Sequence, residues 1–204
     1  TSSAITRSDM RGILDICKKK GIFVMVDETY VEFTEDIQKI TCVPLTRYYN
    51  NIVILRGISK FFAAPGLRLG YAICGNGDLL KEMSKRKNPW TINALAAIAG
   101  EIMFTDMEYI SRTRQLISTE RDRVCGILKG YPSIKLYSPT ANFVLIKILK
   151  DGVSSMDLFE AAIQKGYLIR DCSTFPFLDN KFIRFCFMMP KENDALLDTL
   201  LVCL

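Results

Sequence analysis

The sequence NIVILRGISKFFAAPGLRLGY, residues 51–71, joins an apolar run to a segment that contains Lys60 and Arg68. The run NIVIL is continuous in apolar residues, which is typical of a strand buried on both faces of a sheet. A similar run, IFVMV at residues 22–26, lies upstream and leads directly into the sequence DETY. Two buried strands of this kind, the first preceded by a helical pattern, indicate an α/β layer with a parallel or mixed sheet.

The rest of the chain extends this α/β pattern. The predicted elements are helices at 8–20 (capped by Ser8), 78–87, 154–166 and 191–204, strands at 22–28, 51–57, 69–75, 142–148, 167–172 and 181–187, and helical sequence over 91–129. We expect the first three strands to be buried, and the stretch 91–129 to form two helices or one long one. Residues 1–115 are predicted to form one domain, and residues 116–204 a smaller α+β domain.

The composition is that of a packed protein, with 49% hydrophobic and 24% charged residues among 204. No apolar run is long enough to predict a transmembrane helix, and the N-terminus lacks the pattern of a signal peptide. The net charge of +5 is scattered among acidic residues, which favours a solvated surface over nucleic-acid binding. We therefore expect neither a membrane nor a nucleic acid as a partner.

The cysteine and histidine counts narrow the chemistry further. The seven cysteines are widely spaced without a CxxC pair, which favours reduced thiols in a cytoplasmic protein over disulfides or a zinc site. The chain contains no histidine, which excludes Ser–His–Asp and Cys–His catalysis and histidine-based metal sites. We expect no metal, and acid–base chemistry from a lysine, cysteine, tyrosine or carboxylate.

Five polar side chains near the predicted strand ends have the chemistry needed to hold and use pyridoxal 5′-phosphate. A lysine, here Lys60, can bond to an aldehyde cofactor, and Arg68 with Ser59 can bind a phosphate. Asp27 can keep a pyridine nitrogen protonated, and Tyr30 can hydrogen-bond the ring hydroxyl. Each residue alone has a plainer explanation, such as a turn cap for Asp27 or a surface ion pair for Arg68. Their joint occurrence at strand ends favours the cofactor site.

The pair of segments VDETYVEF (26–33) and SKFFAAPGLRLGY (59–71) resembles the fold-type-I, class I and II aminotransferase superfamily of pyridoxal-phosphate enzymes. The resemblance covers essentially the whole chain. It implies a three-layer α/β/α large domain, here its C-terminal half only, followed by a small α+β domain. It also implies that Lys60 is the Schiff-base lysine, Arg68 the phosphate ligand, and Asp27 with Tyr30 the ring contacts.

Three further strings are similar to one branch of this superfamily, which contains L-threonine-O-3-phosphate decarboxylase of cobalamin synthesis and histidinol-phosphate aminotransferase. They are NPWTINALAAIAG (88–100), SPTANFVLIKI (138–148) and GYLIRDCSTFPFLDNKFIRF (166–185). The resemblance implies that Arg184 binds the α-carboxylate of a small amino-acid substrate and that Arg170 also binds the substrate. It further implies a homodimer.

The chain departs from the family pattern in two ways. Position 57 is a glycine where relatives usually carry a phosphate-binding hydroxyl, and the family's N-terminal NPNNP(T)G motif is absent except for Thr1. We therefore expect the C-terminal portion of a longer enzyme, inactive as a fragment. A decarboxylase acting on threonine phosphate, a histidinol-phosphate-type aminotransferase, and a non-catalytic fragment that serves dimerisation or binding remain the alternatives.

Overall fold

The computed structural model describes residues 2–204; Thr1, which the resemblance assigns to the incomplete N-terminal motif, lies outside the described residues. The chain divides into two compact units. The N-terminal unit is Ala4–Thr113, and the C-terminal unit is Arg114–Leu204 together with residues 2 and 3. The assignment of residues 1–115 and 116–204 to a cofactor domain and a small domain stays a prediction.

The N-terminal unit is built on a three-stranded mixed sheet, which confirms the predicted α/β class. Its helices and strands are α1 (Arg7–Lys19), β1 (Val24–Asp27), α2 (Ile37–Ile40), β2 (Ile52–Gly57), β3 (Gly70–Cys74), α3 (Gly77–Arg86), α4 (Ala94–Thr105) and the start of α5 (Met107–Lys129). The strand order is β1-β2-β3, with β1 parallel to β2 and β3 antiparallel to β2. Single 3₁₀ turns lie at Val31–Phe33, Val43–Arg47 and Pro65–Leu67.

Helix α1 covers one face of β1 and β2. Its buried residues Met10 and Leu14 are one turn apart and pack in one cluster with Ile52 and Ile54 of β2. The predicted cap at Ser8 is wrong, because the side chain of Thr6 accepts the N–H of Asp9 at 3.1 Å. The sequence SSAITRSD (2–9) contains several hydroxyl side chains that could cap the helix. The hydroxyl that caps it depends on where the helix begins, and this in turn depends on the burial of Met10 and Leu14.

The expectation that the first three strands are buried on both faces holds only for β2. In β1, Val24 and Val26 pack toward α1, whereas Met25 is 68% exposed on the opposite face. In β3, Tyr71 and Ala72 are also exposed. Both strands are edges of the described sheet, and the described residues cover only one face of β1. A run of apolar residues therefore predicted the strand correctly but not how many of its faces are covered.

The C-terminal unit has a four-stranded antiparallel sheet with order β4-β5-β7-β6. Its elements are the remainder of α5, then β4 (Ile134–Tyr137), β5 (Phe143–Ile148), α6 (Ser155–Gln164), β6 (Arg170–Asp171), β7 (Phe182–Cys186) and α7 (Pro190–Cys203). Strand β4 was not predicted, and β6 is shorter than expected. Within residues 2–204, no helix is both long and apolar enough to span a bilayer.

The helical stretch predicted over 91–129 is two helices, and Asp106 divides them. Asp106 lies between α4 and α5, and its carboxylate accepts the N–H of Tyr109 at 2.9 Å, as a helix cap does. Its own N–H still donates to Ile102 at the end of α4. One residue thus ends the first helix and begins the second, which leaves α5 to run from the N-terminal into the C-terminal unit.

A buried polar cluster joins α5 to α7 in the C-terminal unit. Glu120 is 3% exposed, and its Oε2 accepts hydrogen bonds from Arg123 and Asn193, both at 2.7 Å. The Arg123 bond is the main cause that lowers the pKa of Glu120, and it outweighs the opposing effect of burial. The carboxylate therefore stays charged and paired where two helices meet.

Replacing Phe177 with glycine is expected to stabilise the protein. The backbone of Phe177 lies in the left-handed region at φ 69, and its side chain is 103% exposed, so the change relieves strain without removing packing. We expect a gain of about 1 kcal/mol in the free energy of unfolding, measured by urea denaturation. The matched control is Gly152→Ala, at φ +73 in open space, which should lose a similar amount. A loss of stability in Phe177→Gly would show that the greater freedom of glycine in the unfolded chain outweighs the relief of strain.

Candidate functional site

The parallel register of β1 and β2 brings the first candidate residues to one edge of the sheet. Asp27 is the last residue of β1 and pairs with Leu55 of β2. Its Oδ1 accepts the N–H of Thr29 at 2.9 Å, so the carboxylate caps the turn that leads to Tyr30. Asp27 is exposed, and among the described residues no hydrogen bond reaches its second oxygen. Asp27 can therefore cap the turn with one carboxylate oxygen and bind a ligand with the other.

The structure brings Lys60 and Tyr30 together. The Lys60 Nζ atom lies 5.7 Å from the centroid of the Tyr30 ring. A lysine must be neutral to attack an aldehyde, which burial or a neighbouring cation favours, but Lys60 is exposed. The described residues alone therefore do not bury this amine.

Aromatic packing holds the backbone next to Lys60. Phe61 is 2% exposed and meets the ring of Phe33 edge-on, with 5.1 Å between centroids. The Tyr109 hydroxyl, from the first turn of α5, donates to the carbonyl of Phe61 at 2.9 Å. Because these contacts fix the backbone of Phe61, they also restrict the position of the Lys60 backbone next to it.

The loop from Lys60 to Arg68 is tight and carries backbone strain. Ala63 and Arg68 both adopt left-handed backbone conformations, at φ 50 and φ 55, which non-glycine residues rarely take. The exposed Arg68 donates from Nη1 to the carbonyl of Pro65 at 3.0 Å, across the 3₁₀ turn. Helix α4 supports the loop, because Gly100 packs so closely on Leu69 that a Cβ atom would lie 2.8 Å from its Cδ2. Strained conformations of this kind persist where the surroundings enforce them, as at ligand sites.

A cavity of about 450 Å³ lies between the two segments, and its donors fit a phosphate. Ser59, Arg68 and Thr29 line it together with residues of β2 and β3. Two hydroxyls and a guanidinium are the donors that phosphate oxygens accept. The cavity therefore suits the phosphate of pyridoxal 5′-phosphate, and Tyr30 and Lys60 directly follow its lining residues Thr29 and Ser59 in the chain.

The glycine at position 57, a departure from the family pattern, has a local explanation. A Cβ atom on Gly57 would lie 3.2 Å from the carbonyl oxygen of Leu69, and one on the facing Gly70 would lie 3.1 Å from that of Arg56. The two strands thus approach each other closely here. A hydroxyl side chain at position 57 would require this approach to widen by a few tenths of an ångström.

Two further predicted site residues, Arg170 and Arg184, lie directly opposite each other in the C-terminal unit. They are register partners on β6 and β7, and both line a cavity of about 660 Å³. The Arg184 guanidinium lies 4.7 Å from the Phe143 ring centroid, and that of Arg170 lies 5.3 Å from Phe175. Neither arginine has a carboxylate within ion-pair distance among the described residues. Like charges placed opposite each other destabilise a sheet, so the pair suits an anion.

The residues after Arg170 form a packed turn. The carboxylate of Asp171 accepts hydrogen bonds from Ser173 at 2.6 Å and from Ser155 at 2.7 Å, and the Ser173 hydroxyl is the main cause that lowers the pKa of Asp171. Cys172 is 2% exposed, and burial raises the pKa of its thiol. Cys172 and Ser173 therefore form part of a well-packed turn.

A buried ion pair close to Asp27 was not predicted from the sequence. Glu28 and Arg56 directly follow Asp27 and Leu55 at the ends of the two parallel strands, and they form an ion pair with 2.7 Å between charged atoms. The signal was present, since Glu28 lies close to the end of one apolar run and Arg56 directly follows the other. Sequence spacing could not show that the two charges meet.

The fold is that of the fold-type-I pyridoxal-phosphate enzymes. The crystal structure of histidinol-phosphate aminotransferase from Clostridium acetobutylicum matches it with a TM-score of 0.91 and 31% identity, over 98% of this chain and 59% of that one. More particularly, the chain belongs to the family of class I and II aminotransferases, whose model matches residues 1–200. Members of this family are pyridoxal 5′-phosphate enzymes, which confirms the family, the enzyme class and the cofactor inferred from the motifs.

Two curated relatives illustrate the branch. Histidinol-phosphate aminotransferase 2 from Archaeoglobus fulgidus is 32% identical over 190 residues, covering 93% of this chain and 52% of the relative. Threonine-phosphate decarboxylase from Salmonella typhimurium is 30% identical over 191 residues, covering 94% of this chain and 51% of the relative. The chain thus spans about half the length of these relatives.

Proposed function

We propose that the protein is a pyridoxal-phosphate enzyme that acts on a phosphorylated amino acid, most closely of the threonine-phosphate decarboxylase type. The observation that carries the substrate class is the opposed pair Arg170 and Arg184, which suits a ligand with two anionic groups. A carboxylate and a phosphate on one small molecule meet that requirement. A planar guanidinium binds either group bidentately.

Each residue of the N-terminal unit has a distinct part in this proposal. Lys60 would hold the cofactor covalently, while Arg68 and Ser59 would bind its phosphate. Asp27 would keep the proton on the pyridine nitrogen, and Tyr30 would hydrogen-bond the ring hydroxyl. The cavity lined by Ser59 and Arg68, with Lys60 beside Tyr30, supports these roles.

Pyridoxal 5′-phosphate, when bound, accepts the electron pair of the bond that breaks at the substrate α-carbon. The reaction then depends on how the arginines orient the substrate. For decarboxylation, the arginines would hold the substrate so that its α-carboxylate leaves as carbon dioxide, and the Lys60 amine or a water would return a proton to the α-carbon. For amino transfer, they would hold it so that Lys60 removes and returns the proton of the α-carbon, and a keto acid would finally accept the amino group.

A histidinol-phosphate-type aminotransferase is the second candidate, because the residues above serve both reactions and relatives of both kinds are similar at about the same identity. The experiment supplies the intact protein with threonine phosphate and measures carbon dioxide. We expect release without any keto acid. Amino transfer that requires a keto acid and releases no carbon dioxide would reject the decarboxylase. Failure to take up the cofactor would reject both and leave a binding function.

The proposal extends to the assembly and the compartment. A homodimer follows from the family resemblance, and light scattering of the intact protein would test it. A reducing compartment such as the cytoplasm is supported by the seven cysteines, which are all free thiols.

A further inference from the structure

A buried ion pair borders the candidate cofactor site, and Arg56, one of its partners, also lines the phosphate-compatible cavity. The side chains of Arg56 and Glu28 are only 15% and 4% exposed. The Arg56 Nε and Nη2 atoms both donate to Oε2 of Glu28, at 3.1 and 2.7 Å. Because two bonds leave one planar group, the pair restricts rotation as well as distance.

The pair is completed by the chain segment that contains Thr41 and Cys42. The Thr41 hydroxyl donates to Glu28 at 2.8 Å and accepts from Arg56 at 2.7 Å. The Cys42 N–H donates to the other oxygen of Glu28 at 2.5 Å. Burial disfavours the charge on Arg56, but Glu28, with smaller contributions from Tyr71 and Glu32, outweighs that effect and raises the pKa of Arg56. The Arg56 guanidinium also lies 3.9 Å from a carboxylate oxygen of Glu32.

Buried ion pairs contribute little net stability, because desolvation offsets most of the attraction between the charges. Their best-attested use is to select one arrangement of the chain. The position of this pair matters in that respect. Glu28 lies between Asp27 and Tyr30, and Arg56 lies on the strand that leads to Lys60. The ion pair therefore joins the two segments that carry the ring contacts and the lysine.

A second contact joins the same two segments further along. Phe33 follows Tyr30, Phe61 follows Lys60, and their rings meet edge-on at 5.1 Å. Lys60 thus lies between two links, one polar and one aromatic. The distance between Lys60 and Tyr30 depends on the ion pair and on the contact between the two phenylalanine rings.

We propose that Glu28 and Arg56 are positioning residues. Their ion pair fixes the positions of Asp27 and Tyr30 relative to Lys60, so that these three side chains are already arranged for the cofactor before it binds. This inference rests on the proposed function. It implies that the geometry of the guanidinium matters and not only its charge. A lysine at position 56 keeps the charge but lacks the planar fork.

The test is Arg56→Lys in the intact protein, with cofactor affinity measured from its visible absorbance. We expect the cofactor dissociation constant to rise about tenfold, as for the loss of a coupled contact. The pH midpoint of the absorbance band should shift, because Tyr30 and Lys60 change their separation. With substrate, we expect kcat to fall about 100-fold and KM to change little, because a displacement near 1 Å costs that much in rate.

Arg123→Lys is the matched control. It alters the ion pair of Arg123 with the buried Glu120, which has the same 2.7 Å separation and lies in the C-terminal unit. We expect it to lower the urea midpoint without changing cofactor affinity or the pH midpoint. Thr41→Val is a gentler second variant, which keeps both charges but loosens their pairing, because it removes the hydroxyl that bonds to both partners.

The outcomes separate the two proposals. If the unmodified protein takes up no cofactor, the proposed function fails. If it takes up cofactor and Arg56→Lys matches Arg123→Lys in affinity and pH midpoint, the positioning role is overturned. If Arg56→Lys does not fold, Thr41→Val decides: weaker cofactor binding at an unchanged urea midpoint supports the role, and unchanged binding rejects it.

Discussion

Replacing Lys60 with alanine is expected to abolish the visible absorbance band that depends on the covalent link between cofactor and lysine, and to reduce activity by roughly 10⁴-fold, the upper end of what a positioned proton-transfer group contributes. Lys60 lies beside Tyr30 and directly follows Ser59, which lines the phosphate-compatible cavity. Its loss removes both the covalent attachment and the amine that moves the proton. Phosphate contacts from Arg68 and Ser59 remain, so we expect weaker cofactor binding rather than none.

The matched control for this prediction is Lys81→Ala on α3. Lys81 is also exposed, at 77%, and its only close acidic partner among the described residues is Asp78 at 3.8 Å. Removal of this charge should leave absorbance and activity unchanged. An Lys60→Ala protein that keeps the absorbance of the parent would show that another lysine holds the cofactor.

Replacing Arg184 with glutamine is expected to raise KM for the substrate by roughly 100-fold, from the loss of charge-assisted hydrogen bonds worth about 3 kcal/mol. Folding stability should stay equal or rise by a few tenths of a kcal/mol, because one of two opposed like charges is gone. Steady-state kinetics and urea unfolding measure the two effects separately. Weaker substrate binding without a loss of folding stability would distinguish a role in binding from a general disruption of the fold.

Lys135→Gln on β4 controls for the change in net charge. Lys135 is an exposed cation of the same sheet that lies 5.3 Å from the Tyr137 ring centroid, as Arg184 lies near Phe143. We expect no change in KM. An unchanged KM for Arg184→Gln itself would contradict its assignment to the substrate carboxylate.

The parts of this protein that the sequence predicted are those carried by local pattern. Continuous apolar runs located β2 and β5, residue 154 was correctly placed at the start of α6, and Asp27 and Lys60 were correctly placed at or just after the ends of strands. Each of these depends on residues within one segment.

The parts that could not be predicted depend on contacts between distant segments. Whether the second face of β1 is exposed depends on which distant residues cover it. The short strand β4 has no distinctive pattern of apolar residues. The meeting of Glu28 with Arg56, and the alignment of Arg170 with Arg184, follow from strand register. A shift of one residue in either register would separate these charges, and no single segment specifies it.

The alignment of Arg170 with Arg184 has a consequence for turnover. In the proposed decarboxylation, a substrate with two anionic groups would neutralise both guanidinium groups, and the loss of carbon dioxide would remove one anion and leave one arginine uncompensated. Repulsion between the cations then returns and weakens the hold on the product. The electrostatics of β6 and β7 would thus favour product release after decarboxylation, and free phosphate or sulfate should compete with the substrate.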